Sequence, residues 1–150
     1  MSTIFILRGP SGSGKSTEAE KLLEKYPQAV ICSTDSYFIK DGKYFFDGAK
    51  IKQYHQMNKN QVEHLCILNT DYIIVDNTNT QMWEYQPYLN LANKYNYQVI
   101  IVEPNNDLWN THKMGMTFSE MEHLAQKLFE RNVHGVSKDV ILKQLKRWEF

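Results

Sequence analysis

The sequence predicts an α/β fold, built as a three-layered, doubly wound parallel sheet of about four strands. Short continuous runs rich in Val and Ile alternate with longer helical patterns along the first two thirds of the chain. Such runs between helices are typical of strands buried on both faces of a parallel sheet. The last third carries helical patterns, which adds a helical segment after the sheet.

The elements follow in a regular order. We expect strands over residues 3–8, 29–33, 72–76 and 98–103, and helices over about 15–25, 49–68 and 81–95. Right-handed crossovers would place these helices on both faces of the sheet. Asp41-Gly42 predicts a turn in the long irregular stretch that follows the second strand.

Two helix starts are indicated in the last third. Ser119 and Glu122 have the spacing of a capping box. Ser137 can cap a final helix, with Val136 packed against Ile141 as a hydrophobic staple. That helix would carry one apolar face, formed by Ile141, Leu145 and Trp148.

Composition narrows the class of protein. The chain has 150 residues, of which 42% are hydrophobic and 23% charged, with no net charge, so we expect one globular domain over residues 1–150. No apolar run reaches the roughly 20 residues of a membrane helix. Because no secretion signal is visible either, we expect a cytoplasmic protein with no membrane partner and two buried free thiols, Cys32 and Cys66. Zero net charge argues against broad coating of nucleic acid but allows a local basic groove.

The stretch GPSGSGKS at residues 9–16 fits the P-loop pattern and lies between a predicted strand and a predicted helix. Backbone N–H groups at such a helix start bind phosphate oxygens. Lys15 would bridge the β- and γ-phosphates of ATP or another nucleoside triphosphate, and the Ser16 hydroxyl would bind Mg²⁺. The alternative is an ordinary Gly-rich turn. The predicted nucleotide-binding residues are Gly9, Ser11, Gly12, Ser13, Gly14, Lys15, Ser16 and Thr17.

This loop predicts the strand order 2-3-1-4, and it leaves several classes of enzyme open. An Asp-x-x-Gly switch and an Asn-Lys-x-Asp base reader, which a GTPase needs, are missing from the sequence. The chain is also too short for a motor core. These absences favour a small kinase.

Asp35 directly follows the second strand, at the edge of the sheet where α/β folds place their ligands. A carboxylate there can accept the proton of an attacking hydroxyl. The alternative is a turn or a helix cap. Asp76 ends the third strand and can hold Mg²⁺, while Asn77, Thr78 and Asn79 behind it would either meet substrate or shape the turn.

Arg131 lies where one C-terminal helix ends beside a Gly-containing loop. Such an arginine either closes over the triphosphate as part of a lid or complements the helix dipole. His134 in the same loop has a weaker case. Aromatic and basic residues after the second strand form either a stacking platform for a base or a hydrophobic cluster with a solvated lysine fringe: Tyr37, Phe38, Tyr44, Phe45, Phe46, Lys40, Lys43, Lys50 and Lys52.

Taken in order, the motifs LRGPSGSGKSTEA, STDSYF, GKYFFD, IIVDNTNT and RNVHGVSKDVILKQLKRWE resemble the polynucleotide 5′-hydroxyl kinases. The closest resemblance is to the small stand-alone relatives of the kinase domain in the Nedd-four-binding-protein-two family. It implies an ATP-dependent kinase with a nucleic-acid 5′ end as substrate. In this family the acid matching Asp35 activates the acceptor, while Lys15 and Arg131 match residues that stabilise the transferring phosphoryl.

The chain also departs from the phage-type enzymes of that family. Phe38 stands where they carry an arginine, a second lid arginine is missing, and Asp76 falls one place earlier than their acid. These departures remove contacts to the acceptor or to the γ-phosphate. Two alternatives therefore stay open, a kinase of a small-molecule hydroxyl and a non-catalytic nucleotide-binding module. The sequence does not indicate the oligomeric state.

Overall fold

The structure is a computed structural model that describes residues 2–112, 117–132 and 135–149. Its strands are β1 (Thr3–Leu7), β2 (Val30–Cys32), β3 (Ile39–Lys40), β4 (Lys43–Tyr44), β5 (Tyr72–Asp76) and β6 (Gln98–Val102). Its α-helices are α1 (Lys15–Lys25), α2 (Ile51–Ile67), α3 (Met82–Tyr95), α4 (Asp107–His112), α5 (Phe118–Arg131) and α6 (Lys138–Lys146). Two short 3-10 helices cover Thr34–Phe38 and Gly48–Lys50. None of the helices in the described ranges is long and apolar enough to cross a membrane.

Four parallel strands form the main sheet in the order β2-β5-β1-β6. Counted along the chain as four main strands, this is the predicted order 2-3-1-4, and the predicted α/β class is confirmed. Leu7 at the end of β1 pairs with both Asp76 and Val102. The carboxyl ends of three strands therefore meet at one edge, and the loop at 9–16 starts there.

The two faces of the sheet are covered by different helices. Ile4 and Ile6 point into a core cluster that also contains side chains of α2 and α3. Phe5 and Leu7 point to the other face, where Ala19 of α1 is buried. This alternation follows from the two-residue period of a strand and produces the predicted three layers.

The edge strands are less buried than their Val/Ile content predicts. Ile31 of β2 is 37% exposed, and Ile100 and Ile101 of β6 are 39% and 46% exposed. The central strands β1 and β5 have neighbours on both sides, whereas β2 and β6 each pair on one side within the main sheet. Continuous apolar runs therefore identified the strands but not which of them lie at the edges.

Helices α4, α5 and α6 share a separate core cluster that contains Trp109, Leu128 and Trp148. The predicted Ser137 cap is confirmed, since its hydroxyl accepts from Val140 N–H. The predicted capping box at Ser119 and Glu122 is wrong. Helix α5 starts two residues earlier, where Thr117 accepts from the N–H of Glu120 and donates to its carboxylate. The same spacing recurs two residues apart, so local sequence did not select between the two starts.

The predicted turn at Asp41-Gly42 joins β3 and β4. Both turn residues have positive φ, 51° for Asp41 and 76° for Gly42. This is the backbone that a two-residue hairpin with Asp-Gly requires. The hairpin carries Tyr44 back toward the end of β2.

Candidate active site

The loop at residues 9–16 is shaped by glycines in the left-handed region. Gly12 has φ +81° and Gly14, the N-cap of α1, has φ +108°. A Cβ on Gly12 would overlap the backbone carbonyl of Leu128 in α5, lying 3.2 Å from the Leu128 Cα. The loop therefore passes directly against α5, and the pattern's glycines satisfy both torsion and space.

Two side chains from distant elements hold this loop. Asn106 donates from Nδ2 to the carbonyl of Ser13 at 2.7 Å, and its Oδ1 accepts from the N–H of Trp109. Gln144 of α6, which is buried, accepts at 2.9 Å from the N–H of Ser11. Sequence reasoning missed both. Asn106 lies just before α4, and because Asn is a preferred N-cap residue, its position could have indicated a helix start. Nothing in the sequence pointed to Gln144.

Lys15 is electrostatically linked to the two predicted acids. Burial lowers the pKa of its ammonium, while the carboxylates of Asp76 and Asp35 act in the opposite direction. Three residues predicted from separate motifs therefore act on one another at this edge of the sheet. Ser16 and Thr17 are exposed in the first turn of α1, where backbone N–H groups of a helix are without intrahelical acceptors.

The loop has the features of an anion-binding site rather than those of an ordinary Gly-rich turn. The hydroxyl of Ser13 is buried and has no hydrogen-bond partner in the described part of the chain. Positive φ at Gly12 and Gly14 gives the curved backbone in which successive N–H groups make an anion-binding concavity. A phosphate chain is the chemistry that matches this loop, with Lys15 beside it.

A metal site made by protein side chains alone is not found among the described residues, where no three His, Cys, Asp or Glu side chains cluster. Mg²⁺ usually takes only one or two protein ligands beside phosphate oxygens and water. Ser16 and Asp76 are compatible with that mode of binding, and their role as ligands stays a prediction.

Asp35 lies in the 3-10 helix that follows β2. Its Oδ1 accepts a long hydrogen bond of 3.4 Å from the hydroxyl of Tyr44. Burial and the neighbouring Asp35 carboxylate raise the pKa of Tyr44 to about 12. Tyr44 therefore keeps its proton at neutral pH and can donate to Asp35. The β3–β4 hairpin thus orients the predicted base, a contact that the sequence did not indicate.

The segment before Asp35 is fixed from two sides. Asn77 accepts through Oδ1 from the N–H of Thr34 at 3.0 Å. The hydroxyl of Thr34 also lies 3.1 Å from Nδ1 of His55 in α2. Burial lowers the pKa of His55, so its ring is neutral at neutral pH. No sequence pattern indicated this contact, because one histidine on a helix has no characteristic spacing.

Of the polar residues after β5, Asn79 serves the turn. It has φ +47°, is buried, and donates from Nδ2 to the carbonyl of Leu7 at 2.8 Å. The carbonyl of Thr78 accepts from the N–H of Gly9 at 3.0 Å. These bonds connect the end of β5 to the loop at 9–16, so this stretch does build the turn, as one of the two predicted alternatives states.

A cleft of about 550 Å³ opens beside the loop. Asp35 and His55 line it, together with Tyr44 and Phe46 from the hairpin region. A further wall comes from α6 and the residues directly before and after it, and Ser11, Asn77 and Thr78 also line the cleft. The residues of that α6 wall are Gly135, Val136, Ser137, Val140, Lys143, Gln144 and Arg147. The volume lies within the range of small-molecule sites.

The aromatic residues after β2 divide between the two predicted roles. Phe38 is buried, and its ring meets that of Tyr54 at 4.6 Å between centroids, as in a hydrophobic cluster. Tyr44 and Phe46 line the cleft, and Phe46 is 62% exposed. Phe38 therefore belongs to the core, while two neighbouring rings remain accessible.

Arg131 is exposed at the last turn of α5 and does not line the cleft. Directly after it, the side chain of Asn132 closes the turn by accepting from the N–H of Val136 and donating to the carbonyl of Phe129. His134 lies outside the described residues. The lid role of Arg131 stays a prediction.

Arg8 is a buried residue that sequence analysis did not assign. Its guanidinium donates to the carbonyls of Asn79 at 2.8 Å, Thr80 at 3.0 Å and Glu149 at 2.6 Å. It also lies over the ring of Trp148, 4.4 Å from the centroid. Arg8 therefore ties the end of β1 to the segment after β5 and to the end of the chain behind α6.

Comparison with known proteins agrees with this geometry. The family described as an AAA domain matches residues 4–110. NEDD4-binding protein 2 of Homo sapiens is 38% identical over 146 residues, which are 97% of this chain but only 8% of that protein. The resemblance predicted from the ordered motifs is thus confirmed.

Solved structures share the fold at low identity. A chain in the structure of the Pnkp1/Rnl/Hen1 RNA repair complex has a TM-score of 0.67 and 20% identity, covering 97% of this chain and 43% of that one. A fungal RNA kinase has a TM-score of 0.57 and 14% identity, covering 99% and 65%. By its sequence match over residues 4–110 and its parallel sheet with a phosphate loop, the chain belongs to the AAA-domain family of P-loop, kinase-like proteins.

Proposed function

We propose that this protein transfers a phosphoryl group from ATP, or another nucleoside triphosphate, to the 5′-hydroxyl of a DNA or RNA end. The observation that carries the proposal is the position of Asp35. It lines a cleft beside the phosphate loop and also acts on Lys15 in that loop. A base next to a phosphate-binding loop and an open cleft is the arrangement that phosphoryl transfer to a hydroxyl needs.

In the proposed reaction, Asp35 accepts the proton of the acceptor hydroxyl as its oxygen bonds to the γ-phosphorus. The bond from that phosphorus to the bridging oxygen of the β-phosphate breaks, and the nucleoside diphosphate leaves. Lys15 stabilises the charge on the transferring group, since a cation in a partly buried site acts strongly. Mg²⁺, held by Ser16 and Asp76, would supply further charge neutralisation.

Two neighbours of Asp35 have supporting roles in this proposal. Tyr44 donates to Asp35 and limits its rotation. Neutral His55 holds Thr34, and thereby the backbone that carries Asp35. Arg131 would move toward the phosphates as the nucleotide binds, because an arginine that closes over a site also excludes water from it.

A nucleic-acid acceptor is supported by the similarity to an RNA kinase and to a chain of an RNA repair complex. Because both likenesses concern the fold, DNA, RNA and small hydroxyl compounds all have to be tested as acceptors.

A phosphate acceptor of small size is a second candidate, and the volume of the cleft supports it. About 550 Å³ accommodates a single nucleoside or sugar. The two candidates differ in whether the acceptor extends beyond one unit.

The test uses radiolabelled ATP with 5′-hydroxyl DNA, 5′-hydroxyl RNA and a panel of nucleosides and sugars. We expect labelled oligonucleotide ends and a loss of about 100-fold or more in kcat for Asp35→Asn. Lys15→Ala should lose at least as much. Asp71→Asn is the matched control, because Asp71 is exposed at the opposite end of β5. If only small hydroxyl compounds are labelled, the acceptor is the second candidate and not a nucleic-acid end. ATP binding without labelling of any acceptor would refute both candidate functions.

A further inference from the structure

We propose that Lys143 and Arg147 of the α6 segment bind a backbone phosphate of the acceptor, and so make the cleft selective for a nucleotide chain over a bare hydroxyl compound. This inference rests on the proposed function for the identity of the acceptor. It assigns the phosphate contact to α6 and its C-terminal end, far in sequence from the phosphate loop and from Asp35.

The side chains that line the cleft carry both negative and positive charge. Asp35 gives it a carboxylate, which repels an anionic acceptor. Among the described lining residues the basic side chains are His55, Lys143 and Arg147. Burial lowers the pKa of His55 and keeps it neutral. Of the described side chains that line the cleft, Lys143 and Arg147 are therefore the ones that can attract a phosphate by their charge.

Lys143 and Arg147 extend from one side of the α6 segment, because residues four apart lie on the same face of a helix. Gln144 beside them is hydrogen-bonded to Ser11 of the phosphate loop. The two cations are therefore attached to a wall whose position relative to the loop is fixed.

Both cations are available to a ligand. Lys143 is exposed, and its ammonium forms no ion pair or hydrogen bond with the described residues. Arg147 donates from Nε to the hydroxyl of Thr80 at 2.9 Å, and this Nε lies 3.8 Å from a carboxylate oxygen of Glu84. Its two terminal nitrogens have no acceptor within the described ranges. A guanidinium held at Nε with free terminal groups is well suited to bind phosphate oxygens.

The segment that carries Asp35 offers no alternative cation for the phosphate. The segment Thr34–Phe38, which carries Asp35, contains no Lys or Arg. Its last residue, Phe38, is 1% exposed and packed in the aromatic cluster. A phosphate in the cleft therefore finds no cationic contact from the segment that carries the base.

Lys146 offers a matched control on the same helix. It is exposed and lies over the ring of Phe118, 4.5 Å from its centroid, and it does not line the cleft. Lys143→Gln and Lys146→Gln make the same chemical change on one helix, at a lysine that lines the cleft and at one that does not. Arg147→Gln provides a second probe of the proposed contact.

The kinetic test compares two acceptors that differ by one phosphate, cytidine and cytidine 3′-monophosphate. We expect Lys143→Gln to lower kcat/KM for the phosphorylated acceptor about 10-fold, the usual effect of one charged hydrogen bond. The value for cytidine should change less than about 2-fold, and Lys146→Gln should change neither. Equal losses with both acceptors, or equal effects of the two lysine substitutions, would overturn the proposal.

A binding test separates this inference from the proposed reaction. Affinity for a short 5′-hydroxyl oligothymidine is measured by fluorescence anisotropy at several salt concentrations. Loss of one phosphate contact in Lys143→Gln should weaken binding. It should also reduce the magnitude of the slope of log K against log salt concentration by about 0.7, with no change in Lys146→Gln. If the wild type labels no acceptor but shows this pattern, the proposed function fails and the phosphate site stands. If it labels oligonucleotides while Lys143→Gln and Arg147→Gln bind them normally, the site fails alone.

Discussion

The phosphate loop and the cleft beside it are built in different ways. The loop is one continuous stretch of eight residues, 9–16, whose shape depends on its own glycines. The cleft is assembled from the end of β2, the β3–β4 hairpin, α2, the end of β5 and α6. A local sequence pattern can specify the first, whereas the second exists only after the chain has folded.

The comparison also shows where the two regions depend on each other. Gln144 of the cleft wall binds Ser11 of the loop, and Arg8 at the end of β1 binds the carbonyl of Glu149 behind α6. Weakening these connections should affect the cleft more than the sheet.

The largest effect is expected for Arg8→Met. This change removes hydrogen bonds to three carbonyls and an arginine–aromatic contact in a buried position. We expect the free energy of unfolding, measured in urea, to fall by about 3–5 kcal/mol, as when one partner of a buried polar network is lost.

The control for Arg8→Met is Arg131→Met, the same substitution at an exposed site, which should change stability by less than about 0.5 kcal/mol. Equal effects of the two substitutions would mean that the wall behind α6 does not depend on Arg8.

The next effect is expected for Gly12→Ala in the phosphate loop. Its φ of +81° disfavours a side chain, and the new Cβ would meet the backbone of Leu128. Together these terms should cost about 2–3 kcal/mol in the free energy of unfolding.

Gly42→Ala is the matched variant for Gly12→Ala. Its φ is +76°, and nothing lies within 4 Å of a new Cβ, so only the torsional cost of about 1 kcal/mol remains. A similar loss in both variants would show that α5 moves away from the loop without cost.

A smaller effect is expected for Asn106→Ala, which removes the bond to the Ser13 carbonyl and the bond that caps α4. We expect a loss of about 1–2 kcal/mol in urea unfolding and weaker ATP binding, measured by calorimetry. Asn110→Ala removes only an exposed bond to Asn105 and should leave both quantities unchanged. Unchanged ATP affinity in Asn106→Ala would show that the loop keeps its shape without this anchor.

The smallest effect is expected for the pH dependence of the free energy of unfolding, to which His55 contributes. Burial holds the pKa of His55 below 6.5 in the folded protein, so the unfolded chain binds this proton more readily. The contribution of His55 to stability is therefore fully present above about pH 6.5 and is lost as the pH falls.

The corresponding experiment measures urea unfolding of His55→Gln between pH 5 and pH 8, where its stability should vary less than that of the wild type. His64→Gln, an exposed histidine on the same helix, should retain the wild-type pH dependence. Identical profiles for all three proteins would show that His55 titrates as it does in the unfolded chain.

Much of the fold was predictable because its signals are local. Val/Ile runs found all four main strands, helix α1 spans the predicted residues 15–25, and Asp41-Gly42 forms the predicted turn. The exposure of Ile100 and Ile101 does not follow from the apolar run of β6 itself, and it was the predicted strand order that placed this strand at an edge. The start of α5 was missed because two capping patterns overlap.

The site divides in the same way. Lys15 and Asp35 were named from motifs, and the structure brings their charges within reach of each other. Gln144 and His55 were missed because each acts through one contact with a residue far along the chain. A single Gln or His on a helix has no spacing that distinguishes such a contact from an exposed position.

The sequence by itself determined the phosphate loop, the main strands and where Lys15, Asp35 and Asp76 fall at the ends of those elements, because glycine torsions, strand periodicity and motif spacing are properties of short stretches. The strand order followed from the class of fold that the loop indicates. The tertiary structure alone decided that α6 forms a wall of the cleft, that Phe38 is buried and that Arg8 holds the end of the chain. Those outcomes depend on which surfaces meet after folding. Gln144 meets Ser11, and Arg8 meets Glu149, across more than a hundred positions of the chain. Phe38 is buried against Tyr54 of a different element, and none of these contacts leaves a local pattern.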